Sequence, residues 1–162
     1  MTPRHTTQRT LRIRAQGFRF ALVVSRFNND ITKKLLRGAQ DCLKKHGVKK
    51  NDIRVVSCPG AIELPQVANV LVESGAWHAV ICLGAVIQGE TPHFTYVSSE
   101  AARGIQYVAL NSRTPVIFGV LTTMTKQQAF DRAGGKHGNK GWDAALAGIE
   151  MAALFKELKS GR

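Results

Sequence analysis

The chain has 162 residues, the size of a single domain, and its 44% apolar and 21% charged residues are an ordinary globular composition rather than a disordered or fibrous one. Its longest unbroken apolar stretch runs only from Ala79 to Ile87, well short of the ~20 residues a membrane-spanning helix needs. The net charge is +12, and it is lopsided: through Arg54 there are 14 basic and 3 acidic residues, with no acid before Asp30.

In chain order, residues 1–17 read as a basic N-terminal arm and 18–162 as one α/β domain. Within the arm, Leu11-Arg12-Ile13-Arg14 alternates like a short edge strand that could pair with its own sheet or a neighbouring subunit's. Residues 18–25 (FRFALVVS) predict a strand. Residues 30–46 then place Ile31, Leu35, Ala39 and Leu43 on one face, with a start cap at Asn29 or Asp30 and a stop at Gly47, as an amphipathic helix does. A strand over 53–57 leads to a helix over 63–74, with Pro65 in its first turn. Residues 79–86 are a nearly continuous apolar strand, as buried parallel strands are. A helix follows over 93–110 and a strand over 116–121. Thr125-Lys126-Gln127-Gln128 resembles a capping box opening a short helix that ends at Gly134-Gly135. Residues 139–158 close the chain as a long helix. Four strand–helix units in series imply a parallel sheet with helices on both faces and right-handed crossovers.

The basic arm raises the question of nucleic acid. No aromatics interleave with the cations apart from Phe18 and Phe20 around Arg19, and no recognised nucleic-acid motif occurs, so neither nucleic acid nor membrane is expected as a partner. The first residues are acid-free like a targeting presequence, yet no apolar signal run follows, and a cytoplasmic location is the expectation. Cys42, Cys58 and Cys82 are odd in number and form no Cys-x-x-Cys pair, which reads as reduced structural thiols rather than disulfides or a zinc site.

In open parallel sheets ligands bind beyond the carboxyl ends of the strands, so chemistry is sought in the four strand-to-helix loops. Phe27 could be a hydrophobic staple on its own helix, the ordinary role, or a face for a planar heterocycle. Glu63 could complement a helix dipole or accept hydrogen bonds from ligand hydroxyls. Gly89-Glu90-Thr91 opens a helix, where free N–H groups favour an anion, although no P-loop or dinucleotide fingerprint is present. His93, in the first turn of that helix, is suited to proton transfer near neutral pH. The Gly-rich segment 132–141 could be a solvated connection, or Arg132 could grip a phosphate with Lys140 as a second cation. The carboxylates are dispersed and no histidines pair, so no metal is expected.

Together these loops resemble the lumazine synthase family. The matching residues are Ser25-Arg26-Phe27-Asn28, Pro59-Gly60-Ala61-Ile62-Glu63-Leu64-Pro65, the run from Gly84 through Gly89-Glu90-Thr91-Pro92-His93-Phe94, Gly119-Val120-Leu121-Thr122-Thr123, Gln128-Ala129, Arg132-Ala133-Gly134 and Asn139-Lys140-Gly141. They stand in the family's order over nearly all of the chain beyond the arm. The resemblance implies a flavodoxin-like three-layer sandwich with a four-stranded parallel sheet. It implies the penultimate step of riboflavin biosynthesis, a Schiff-base condensation with phosphate elimination and ring closure that uses no cofactor. It also implies roles. Phe27 would stack on the pyrimidine, Ala61, Ile62 and Glu63 would hold the ribityl chain, and Ala85, Val86 and Ile87 would contact the uracil. Glu90 and Thr91 would present the phosphate site with Arg132 as its main cation, Phe118 would stack from the adjacent subunit, and His93 would transfer protons. A homo-oligomer is implied, a pentamer and, because the Gly134 to Gly141 turn carries no insertion, a 60-subunit shell, with riboflavin synthase as a candidate partner. Thr95 stands where the family usually has an acid, so the pattern supplies no carboxylate beside His93. The competing reading is a shell or scaffold homologue with weak catalysis.

Overall fold

The computed structural model describes residues 14–161; the strand expected at the arm lies, but for Arg14, outside the described residues. Four parallel strands, β1 (Phe20–Ser25), β2 (Ile53–Cys58), β3 (Ala79–Ile87) and β4 (Val116–Thr123), form one sheet in the order β2-β1-β3-β4. Between and after them come α1 (Asn29–Lys45), α2 (Leu64–Glu73), α3 (His93–Asn111), α4 (Lys126–Arg132) and α5 (Lys140–Lys159). The architecture is the expected three-layer α/β sandwich.

The strand period of two divides the core between the faces. Phe20, Leu22 and Val24 of β1 with Ile81 and Leu83 of β3 pack against α1 and α5, while Ala21, Val23, Val80 and Cys82 pack against α2 and α3. Because β1 and β3 are covered on both sides, their sequences are apolar but for Ser25 at the end of β1; β2 lies at an edge, and Arg54 and Val55 stay exposed.

Helices α1 and α5 touch backbone to backbone. A Cβ on Gly141 would overlap the Leu35 carbonyl, and one on Gly38 would overlap the Asn139 side chain, so glycine at both points is a condition of the packing. Asn139 supplies the join: its Oδ1 accepts from Gly141 N at 2.9 Å as the helix cap, and its Nδ2 donates to Lys34 O at 2.9 Å.

Boundaries shift slightly from expectation. Phe18 and Arg19 precede β1 rather than joining it, because Arg19 N donates to the His78 ring (3.0 Å) in place of a ladder bond. The cap position of α1 is Asn28, not Asn29 or Asp30, and no side chain caps it. Thr125 caps α4 by accepting from Gln128 N at 3.1 Å, but α4 ends at Arg132. The Gly-rich segment then makes a small antiparallel pair, β5 (Ala133–Gly135) and β6 (Gly138–Asn139), rather than helix and plain turn.

Candidate active site

The carboxyl ends of β1, β2 and β3 converge on a cavity of about 460 Å3. Two short hydrogen bonds tie the first two loops together: Arg26 N to Cys58 O at 2.8 Å and Phe27 N to Pro59 O at 3.0 Å. Asn28 then turns the chain sharply in the left-handed region (φ 57°), a conformation Asn tolerates better than most residues. Its Nδ2 anchors the turn on Ala85 O at 2.9 Å. The reversal leaves Phe27 at the cavity rim, 72% exposed. A staple packed on α1 would bury the ring; here its face is open to the cavity.

Ala61, Ile62 and Glu63 form a single 3-10 turn before α2 and line the same cavity. Glu63 is tied to the start of its own turn. One carboxylate oxygen, Oε2, accepts from Gly60 N at 2.8 Å, which holds the side chain at the pocket and leaves Oε1 for a ligand hydroxyl. Cys58 lies beneath, its thiol hydrogen directed at Gly60 O (3.4 Å). Burial, and after it the Glu63 charge, push that thiol up, which disfavours the reactive thiolate.

The third side is Ala85, Val86 and Ile87 at the end of β3, continued by Thr91 and His93. Gly84, just before these residues, lets β3 pack closely beneath them, since an added Cβ would stand 3.0 Å from Leu64 Cδ1 and 3.2 Å from Ser25 Oγ. Helix α3 is long and begins at the cavity, and no side chain caps it at Pro92, so the positive end of its dipole lies uncapped beside the cavity. His93 is the first helical residue there, exposed and lining the cavity, and among the described residues neither Thr95 nor any carboxylate hydrogen-bonds its ring. Glu90 lies in the same loop but does not line the cavity.

Nine of the expected residues thus share one cavity, and Phe118 and Arg132 do not belong to it. They line a second cleft of about 430 Å3 along edge strand β4 and the start of α5, together with Thr122, Lys140 and Asp143. Arg132 there donates to Gln128 O at 3.1 Å, and Lys140 pairs with Asp143 at 2.8 Å. Phe118, 44% exposed, lies along the cleft wall. Six further residues outside the expected set line the cavity: Asn28, Pro59, Gly60, Gly89, Phe94 and Val97. Asn28 gave a signal as the polar residue at a strand-to-helix turn; Phe94 and Val97 lie one and four positions past His93, on the inner side of α3.

The family model for 6,7-dimethyl-8-ribityllumazine synthase matches residues 17–156. The chain is also similar to 6,7-dimethyl-8-ribityllumazine synthases from two strains of Clostridium kluyveri. Each is 53% identical over 148 residues, covering 91% of this chain and 96% of the relative.

Proposed function

The chain belongs to the 6,7-dimethyl-8-ribityllumazine synthase family, and from that premise we propose that it condenses 5-amino-6-ribitylaminouracil with 3,4-dihydroxy-2-butanone 4-phosphate, the penultimate step of riboflavin biosynthesis. The observation that carries the reading is a 460 Å3 cavity that gathers an exposed aromatic, a held carboxylate, an open helix N-terminus and a histidine at the carboxyl ends of parallel strands. In this reading Phe27 stacks on the pyrimidine ring, and the Glu63 Oε1 accepts from ribityl hydroxyls. Backbone and apolar surface of Ala85, Val86 and Ile87 fix the ring edge.

The 5-amino group adds to the ketone and water leaves, giving the imine. Phosphate departs by elimination, and the ribitylamino nitrogen closes the ring on the remaining carbonyl with loss of a second water, giving the lumazine. Each step moves a proton, and His93 is placed to carry it, with a contribution of about 10²-fold. Both substrates react spontaneously once aligned, so positioning supplies most of the acceleration. The phosphate sits at the Thr91 amide and the first turn of α3, with Glu90 contributing backbone, while Arg132 supplies the cation.

Arg132 and Phe118 lie in a different cleft from His93, and this supports a site completed by a second copy of the chain, whose β4 cleft faces the first copy's cavity. An unpartnered stripe on α3 supports close association as well: Tyr96, Tyr107 and Leu110 are all highly exposed and recur at helical spacing on one face. A closed ring of five, and a shell of twelve such rings, is the assembly proposed, and the basic arm is then charge on the assembly rather than part of the site. Purified protein mixed with both substrates should raise lumazine absorbance far above the spontaneous rate; a rate equal to the blank would leave only a scaffold role. Arg132→Ala should lower turnover much more than His93→Ala.

A further inference from the structure

At the opposite pole from the candidate site, the loops leading into β3 and β4 and the last turns of α5 enclose a third cleft of about 450 Å3. Its walls are aromatic and apolar, with Trp77, Pro115 and Phe155, and its charged lining is Arg113, Lys156 and Lys159. Arg19 stands beside it, its guanidinium 5.0 Å from the Trp77 ring centroid. Lys159 Nζ is held in place by Arg113 O at 3.1 Å, and Lys156 Nζ lies 5.4 Å from the centroid of Phe18, whose ring in turn stacks on His78.

Among the described residues no ion pair answers this charge. The ion pairs of the described residues are Arg103–Glu100, Lys126–Asp30, Lys136–Asp131 and Lys140–Asp143, none of which involves the cleft. Residues 1–13 contain neither Asp nor Glu, so no side chain of the arm neutralises it either. His78, in the cleft wall, registers the same field: burial first, then Lys156, Arg19 and Lys159, hold its imidazole below the ordinary range. Cations clustered around a concave, aromatic-walled space attract an anion that carries a flat ring.

We propose that this cleft is a second ligand site, for a nucleoside monophosphate or a molecule of that chemistry, with the ring laid against Trp77 and Pro115 and the phosphate held by Arg113, Lys156 and Lys159. The site lies at the opposite end of the strands from His93, and nothing in the condensation uses it. A ligand bound there touches only residues outside the catalytic cavity.

The chain has two tryptophans, and Trp142 lies elsewhere, beside His46 and Lys45. In Trp142→Phe protein the indole emission therefore reports on Trp77 alone. Titration with AMP should quench that emission saturably. Adenosine and inorganic phosphate, each carrying half of the recognition, should bind at least tenfold more weakly. Lys156→Glu/Lys159→Glu should raise the AMP dissociation constant at least tenfold and leave lumazine formation unchanged, while Lys156→Arg/Lys159→Arg, which keeps the charge, should preserve binding. The proposal is overturned if AMP gives no saturable change at millimolar concentration. It is equally overturned if Lys156→Glu/Lys159→Glu binds as the parent does, or if Arg132→Ala abolishes the signal, which would assign the binding to the β4 cleft.

Discussion

Splitting the expected residues between two clefts leads to a complementation experiment with a calculable outcome. His93→Ala disables the cavity half and leaves the β4 cleft intact; Arg132→Ala does the reverse. Alone, His93→Ala should retain about 1% of turnover, the loss expected for a single proton-transfer group, and Arg132→Ala still less. If every site takes its cavity from one copy and its cation from the next, a one-to-one mixed assembly places an intact cavity against an intact cleft at about one quarter of its interfaces. Co-expressed and purified through a tag on each variant, the mixture should recover about a quarter of parental turnover, followed as lumazine absorbance. If the site were instead complete within one chain, no pairing could restore it, because each copy lacks one half. Mixed assemblies no faster than the mean of the two variants, with both chains shown to be present, would refute the shared site.

Other outcomes follow from the packing and the charges. Gly141→Ala drives a methyl group into the Leu35 carbonyl and should cost about 3 kcal/mol, at the upper end for overpacking, read as a lower urea midpoint; an unchanged midpoint would mean α1 and α5 separate without penalty. Asn139→Ala removes two cap bonds and the bond to Lys34 O, worth about 1–2 kcal/mol together, and Asn139→Asp should keep the caps while losing the Lys34 bond. His78 takes up a proton less readily folded than unfolded, mainly through burial. Its contribution to stability is therefore complete above its ordinary value of 6.5 and declines as pH falls below it. His78→Gln should have a shallower loss of stability from neutral pH toward pH ~5.5; a slope equal to the parent's would remove His78 as the cause.

The element series was readable because each run carried one period: apolar strands buried on both faces, then helices with a single apolar side. The four loops were found by the rule that parallel strands present ligands at their carboxyl ends, and nine of the expected residues do share one cavity. What the chain order could not convey is lateral position. β4 follows β3 in sequence and pairs with it, yet it is the outer strand, so Phe118 opens onto the flank rather than toward His93. Arg132 goes with it, as the last residue of α4. Phe27 is ambiguous for a different reason: staple and stacking face have the same local sequence, and the exposure of the ring follows from the left-handed turn at Asn28, fixed by a carbonyl 57 positions away. The pair β5 and β6 was invisible because glycines that permit a tight reversal look the same as glycines in a plain connection.

The contact between α1 and α5 has a bearing on synthesis. These helices cover the same face of the sheet, and α1 is synthesised long before α5. Until residues 140–159 leave the ribosome, Ile81, Leu83 and their neighbours on that face have α1 alone for shelter, and the Lys34 carbonyl waits for a partner 105 residues downstream. A nascent chain in that condition exposes a half-dressed apolar sheet, the kind of surface that chaperones hold and that aggregates when unattended. Truncation within the last helix should therefore be felt as insolubility before it is felt as lost turnover, although that helix contributes no residue to the His93 cavity.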